Sequence, residues 1–401
     1  MHAPARGRAG LAWLLLLTCC APVLLNAPGT VDTPIWLEWM DVLHAHGLAA
    51  GYPAPRPEYP PLAFVLLWLV ERAGHALGLN HFEALKLSLL AALWLASAVV
   101  WVWTRRAAWA ALTQAALLLN AVGLGYLDVY GAPTLLACLW ALSERRPLLA
   151  SLCLSLSILA KWQPLLVLPL LLPCALASFP PGRSLARRLG TLALACLAPL
   201  LASMLVFGIE PLLAFERTLH HPQLSGNALN FNWLYTWALH LVAPQRFGKL
   251  AQGRVFIIET RDFAILLLPR ALFALAYGAA LWRAFGDPRA RSLAGALPIA
   301  TVGYTAYFMF NPGVHENHIY VGALLALSSA WLAPRAWPQL ACWVAFANLN
   351  QALFYGLSGA GLGFPRVVLG LDTSLPLAAF GLGLFALQHR RFVSGPGPPE
   401  A

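Results

Sequence analysis

Residues 84–104 read ALKLSLLAALWLASAVVWVWT, residues 107–125 read AAWAALTQAALLLNAVGLG, and Arg105-Arg106 stands between them. A helix needs about 20 predominantly apolar residues to cross the hydrocarbon core of a bilayer. Two such stretches joined by a pair of arginines predict a membrane hairpin whose turn carries positive charge. Working outward in both directions, the same reading gives twelve crossings. They lie near 11–27, 84–104, 107–125, 130–143, 148–161, 164–179, 190–208, 263–283, 294–310, 319–334, 337–353 and 373–388. The expected fold is all-α: a polytopic membrane protein with 1–401 as a single transmembrane domain.

Composition agrees. Of 401 residues, 60% are hydrophobic and only 10% charged, against roughly 25% charged in soluble domains. A soluble globule would lack the polar side chains to cover its surface. A soluble enzyme, a disordered chain and a nucleic-acid-binding domain are therefore excluded. The net charge of +10 does not reinstate nucleic acid as a partner, because the cations sit in small groups between apolar stretches. Of the 26 basic residues only Lys86, Lys161 and Lys249 are lysines. An arginine-, alanine- and leucine-rich composition points to a GC-rich bacterial source, and so to the cytoplasmic membrane. The seven cysteines all lie in apolar segments without metal-ligand spacing and read as small core residues.

Basic residues next to spans mark the cytoplasmic side. Arg6 and Arg8 before the first span fit a signal peptide, but no clean small-x-small cleavage site follows, so an uncleaved signal anchor with the N-terminus inside is expected. Alternation then puts Arg105–Arg106, Arg145–Arg146, Arg183/Arg187/Arg188, Arg283/Arg289/Arg291, Arg335 and Arg390–Arg391 on the same side, with the C-terminus. Of the 16 acids only Glu144, Asp287 and Glu400 fall inside. The chemistry is therefore expected on the outer face. Two long connections, 28–83 and 209–262, also lie there, too polar and proline-broken to span yet too apolar for free loops. In 34–47, Trp36, Leu37, Met40 and Leu43 share one helical face, with Glu38 and Asp41 opposite. Segment 232–242 resembles an interfacial helix with an aromatic belt. No internal repeat is evident, unlike the commonest transporter folds.

Five groups of residues on that side could carry chemistry. Asp32, in Asp32-Thr33-Pro34, is either the N-cap of a proline-initiated helix or a carboxylate made more basic by partial desolvation. Glu58-Tyr59-Pro60-Pro61-Leu62 ends in another proline-initiated helix. Asp128 and Tyr130 follow Gly123 and Gly125 at the outer end of the third span. Lys161-Trp162-Gln163-Pro164 interrupts an apolar run, and an ionisable residue there is either snorkelling or functional. Finally, Asn311 to His318 contains His315, Glu316 and His318. That spacing, His-Glu-x-His, is not the His-Glu-x-x-His of a zinc protease, so no metal is expected.

The order of these motifs resembles the GT-C superfamily of membrane glycosyltransferases, which use polyprenyl- or dolichyl-phosphate-linked sugars. It is most similar to the dolichyl-phosphate-glucose-dependent glucosyltransferases, with the bacterial polyprenyl-phosphate-mannose enzymes close behind. In that family an acid opens the first outer loop and a tryptophan follows seven positions later, here Asp32 and Trp39. An Asp-Tyr-Pro-Pro-Leu segment is matched by Glu58 to Leu62, a Lys-x-Gln by Lys161 and Gln163, and a Val-His-Glu-Lys by Val314, His315 and Glu316, with Asn317 last. The family's His- and Gln-rich segment is replaced by Gly125 to Tyr130.

The resemblance implies an inverting, metal-independent hexosyl transfer, of glucose or mannose, to a glycolipid or glycan hydroxyl. Asp32 would be the base, and Lys161 and His315 would stabilise the departing phosphate. Glu58, Tyr59, Asp128, Gln163, Glu316 and His318 would bind substrate, and Trp233 and Trp237 would flank the lipid's path into the site. No cofactor is needed, since the lipid-phosphate sugar is itself the donor. The residues leave two other classes open: a secondary transporter with a charged intramembrane site, and a non-catalytic lipid-sugar binder.

Overall fold

The structure, a computed structural model, describes residues 3–332, 337–363 and 365–394. Arg335 and Glu400, both assigned above to the inner side, lie outside the described residues. The chain is predominantly helical, and helix overlaps each of the apolar stretches expected to cross. Four helices are long and apolar enough to cross a membrane: His81–Thr104, Leu185–Phe207, Phe263–Gly286 and Leu293–Phe310. The apolar helices over Arg8–Leu24, Ala107–Gly123, Leu127–Ser143, Pro147–Ala160 and Gln163–Ala177 are shorter. At 1.5 Å per residue, a 14-residue helix such as Pro147–Ala160 reaches only about 21 Å. Two of the long helices leave large apolar faces uncovered: Leu194, Leu201 and Leu205 on one, Leu275, Trp282 and Phe285 on the other. Surfaces of that kind need lipid or a partner against them.

The chain divides into two compact units. The first comprises Met1–Leu168, Ala175–His220 and Leu357–Ala360; the second comprises Pro169–Cys174, His221–Gly356 and Gly361–Ala401. The boundary after His220 falls within the connection 209–262.

The first unit contains α1 (Ala3–Cys20), α2 (Thr33–Gly51), α3 (Pro61–Ala76), α4 (His81–Thr104), α5 (Ala107–Leu118), α6 (Ala132–Ser143), α7 (Pro147–Ala160), the ends of α8 (Leu168–Ala177), α9 (Leu185–Phe207) and α10 (Glu210–Leu219). Helix α4 starts with a reciprocal cap. Asn80 Oδ1 accepts the Glu83 N–H at 2.9 Å, and the Asn80 N–H donates to Glu83 Oε2 at 3.0 Å, so two otherwise unpaired donors are satisfied. The hairpin of α4 and α5 turns at Arg105, which is left-handed at φ 55. Polar side chains join it to α1: Gln114 Nε2 donates to Thr18 Oγ1 at 3.0 Å and to Ser97 Oγ at 3.3 Å. Between apolar helices such bonds supply attraction that lipid-like packing alone does not.

In α2 the buried face is Trp36, Trp39, Met40 and Leu43. It is rotated from the expected one by the inclusion of Trp39, because that indole stacks on Phe64 of α3 with centroids 4.6 Å apart.

The second unit contains α11 (Phe231–Val242), α12 (Pro244–Phe247), α13 (Phe263–Gly286), α14 (Leu293–Phe310), α15 (Tyr320–Leu332), α16 (Trp337–Tyr355) and α17 (Ser374–His389). Strands β1 (Ser225–Gly226) and β2 (Val314–His315) pair in parallel; β3 (Val367–Val368) and β4 (Leu371–Asp372) pair antiparallel. Helix α11 turns its polar residues inward, contrary to the interfacial reading. Asn232 is fully buried and donates to the Phe310 carbonyl at 3.1 Å, and Asn230 donates to that of Phe308 at 2.8 Å. The last carbonyls of α14 have no partner within their own helix, and these amides supply one.

Candidate active site

Two interrupted helices build the site in the first unit. After α5 the chain continues through one π-helical turn, Leu119–Gly123, and a 3-10 turn, Leu127–Gly131, with every residue from 119 to 133 buried. Irregular backbone at such depth survives only where side chains satisfy its polar groups. Here Lys86 Nζ donates to the Val122 carbonyl, Trp36 Nε1 to that of Gly125 at 3.2 Å, and Ser157 Oγ to that of Gly131 at 2.9 Å. Gly125 has φ 77, and a Cβ there would come 2.8 Å from Thr33 Oγ1. The second break follows α7. Lys161 leaves the helix with extended backbone (φ −156, ψ 133) before a 3-10 turn over Gln163–Val167.

The two breaks bring Asp128 and Lys161 together. Lys161 Nζ lies 3.5 Å from Asp128 Oδ2, with both side chains under a tenth exposed. The same ammonium donates to the Tyr59 hydroxyl and sits 4.1 Å from the centre of that ring. Tyr59 in turn packs edge-on against Trp36 and Trp39, with centroids 4.9 and 5.5 Å away. Four side chains pin the backbone that presents it. Arg217 donates to the Pro57 carbonyl at 2.9 Å, Trp162 and Thr218 to that of Glu58 at 3.0 and 2.6 Å, and Tyr52 to that of Tyr59 at 3.0 Å.

Asp32 stands at the N-cap position of α2, but its side chain makes no capping hydrogen bond. Of the two readings open in the sequence, the cap explains its place and leaves its carboxylate unspent. Burial holds the carboxyl above the usual aspartate range. The Lys161 ammonium pulls it down less strongly, and the Asp128 carboxylate pushes it up. Asp32, Asp128 and Lys161 thus act on one another electrostatically. Gln163, two residues after Lys161, is buried with an Oε1 that accepts no hydrogen bond, and the Thr33 hydroxyl next to Asp32 is likewise buried and unpaired. Unsatisfied polar atoms of this kind are rare in native interiors and call for an explanation. Glu58 takes part through its carbonyl; its side chain is exposed.

Lys86 is the residue the sequence reading passed over. It is fully buried on α4. The rule that singled out Lys161, that an ionisable group inside a span defaults to function, applied equally to it.

The remaining candidates form a separate cluster inside the second unit. His315 stacks edge-on with His221 at 4.9 Å and lies 5.3 Å from His318 between ring centroids. The His315 N–H donates to His318 Nδ1 at 3.3 Å. A backbone N–H can only donate, so Nδ1 accepts and the His318 proton sits on Nε2. Glu316 is buried, and its carbonyl accepts from Asn350 Nδ2 at 3.4 Å. The pairing of β1 with β2 brings Gly226 so near that a Cβ would lie 2.5 Å from His315 Nδ1. Gly226→Ala should displace that ring and cost about 1–3 kcal/mol, the usual range for overpacking. Thermal unfolding checks this, and His315→Ala in the same chain should restore most of the loss.

Trp233 is fully buried and donates through Nε1 to Ser374 Oγ at 2.8 Å. Trp237 is half-buried. No disulfide joins the seven cysteines.

In comparison with known proteins, the chain matches no family model and no curated protein.

Proposed function

We propose that this chain is a membrane glycosyltransferase of the GT-C kind, moving a hexose from a polyprenyl-phosphate sugar to a hydroxyl of a glycolipid or glycan acceptor. The observation that carries the reading is Asp32: a partly desolvated carboxylate with no capping duty, coupled in charge to a buried lysine. Asp32 takes the proton of the acceptor hydroxyl as its oxygen attacks the anomeric carbon. The bond from that carbon to the phosphate oxygen breaks, and its electron pair leaves with the lipid phosphate. A positioned base of this kind contributes roughly 10²–10⁴-fold. Lys161 supplies fixed positive charge where the phosphate's negative charge develops, in surroundings of low dielectric. Tyr59, held by the buried Trp36 and Trp39 behind it, would be presented to the sugar beside Lys161. The product inverts in a single displacement, and the monoester leaving group needs no metal to neutralise it.

Twelve crossings with both termini inside, and a reaction at the outer face of a bacterial cytoplasmic membrane, complete the proposal. Arginine placement and the acids gathered on the opposite side support it. The test is transfer from labelled polyprenyl-phosphate glucose, mannose and arabinose by the protein in nanodiscs, with a membrane extract as acceptor source. Transfer from one donor is expected. Solute movement by the protein in liposomes, with no donor bound or consumed, would replace this reading with transport.

A further inference from the structure

Three helices of the first unit carry a group of ligands away from Asp32 in sequence. Asp41 and His44 lie one turn apart on α2. Glu71 and His75 are four residues apart on α3, so they share a face. His81 is the first residue of α4. His44 Nδ1 lies 2.5 Å from Glu71 Oε1, and His81 Nδ1 lies 2.8 Å from Asp41 Oδ1. Ligand atoms of His44, Glu71 and His81 all fall within 4.8 Å of one another. The His75 ring centroid is 5.6 Å from that of His44.

We propose that His44, Glu71 and His81 form a binding site for a zinc-class divalent metal, which ties α2, α3 and α4 together. Two imidazole–carboxylate hydrogen bonds alone would account for part of this geometry. They leave the second carboxylate oxygen of Glu71 without a hydrogen bond. The side chain is fully buried, and Oε2 meets only the exposed Arg72, whose Nε forms an ion pair with it at 3.7 Å. A buried carboxylate oxygen that accepts no hydrogen bond is costly, and a bound metal ion would supply the missing contact.

The donor set selects the metal. Imidazole nitrogens favour zinc, copper, nickel and iron over calcium and magnesium, which prefer all-oxygen sites. Zinc holds such ligands at about 2.0–2.2 Å in a tetrahedron, so its ligand atoms stand about 3.4 Å apart. The cluster meets that spacing with small side-chain adjustments. Asp41, holding the His81 ring from behind, has the place that carboxylates take on metal-bound imidazoles. His75 stands one turn from Glu71, outside the three converging ligands. Half-exposed His44 and partly exposed His81 give the ion an approach from water. Because α2 begins at Asp32, the metal would brace the helix that carries the proposed base without taking part in transfer.

The test uses the full-length protein in detergent, stripped with chelator and titrated with zinc by calorimetry and with cobalt by visible absorption. One zinc per chain and a rise in thermal midpoint are expected, together with the intense absorption of tetrahedral cobalt. Asp41→Asn keeps all the ligands at an exposed position, and its affinity should fall about 10–100-fold. His44→Ala/His81→Ala should abolish the cobalt spectrum. Asp32→Asn should bind zinc as the unaltered chain does, which separates this proposal from the transferase reading. Absence of saturable binding, or binding undiminished in His44→Ala/His81→Ala, would overturn it and leave two plain hydrogen-bonded pairs.

Discussion

Asp32→Asn should reduce sugar transfer by about 10²–10⁴-fold, the contribution of one positioned base, while leaving the protein at least as resistant to heat. The two halves of that outcome have one cause. Burial holds the Asp32 carboxyl above its ordinary value of 3.8, so the fold favours the neutral acid. The sign then follows. Below the unfolded value both states carry the proton and the residue costs nothing; above the raised folded value the charge destabilises the fold in full. Asparagine removes that cost at neutral pH and keeps the shape. Transfer by the unaltered enzyme should fall as pH drops through the raised value, at a higher pH than for an ordinary aspartate. Rates and melting curves measured together decide the matter. A thermal midpoint that falls with activity would make Asp32 a structural residue.

Lys161→Met is the second large effect, and it should act on stability as well as transfer. The Lys161–Asp128 pair is almost wholly buried. Removing one partner of such a pair leaves an uncompensated charge, at about 3–5 kcal/mol. The double variant Lys161→Met/Asp128→Leu removes both charges and should recover most of the stability, because two apolar side chains can replace a buried pair at little net cost. It should not recover transfer, since the cation proposed to receive the phosphate is gone. Chemical denaturation and donor turnover on the four chains of this cycle separate the two contributions. Loss of stability in the double variant equal to that in Lys161→Met would show that the pair is not the main interaction of either residue.

Particular residues show how far a linear reading reaches. Helix positions were legible because an apolar stretch bounded by Arg105–Arg106, or by a proline at a first helical turn, says where a helix begins and ends. Asp128 and Lys161 were legible as candidates because charge in an apolar run is costly wherever it ends up. Their pairing was not, since it depends on two helices breaking at matching depths. The surroundings of Trp233 were not legible either. An aromatic-rich amphipathic segment looks the same whether its face meets lipid or a neighbouring helix, and the need of α14 for amide donors turned α11 inward. Trp39 replaced Leu37 on the buried face of α2 for a similar reason, the presence of Phe64 opposite.

The sequence by itself determined that the chain is helical and built of apolar segments, because hydrophobicity and helical period are local quantities summed along the chain. It also determined which residues were too polar to be there without a reason. Tertiary structure alone decided which of them meet: that Asp32 is left uncapped within the field of Lys161 and Asp128, that the unremarked Lys86 supports a broken helix, and that His44, Glu71 and His81 converge from three helices. Those are distances between residues far apart in sequence, and only packing sets them.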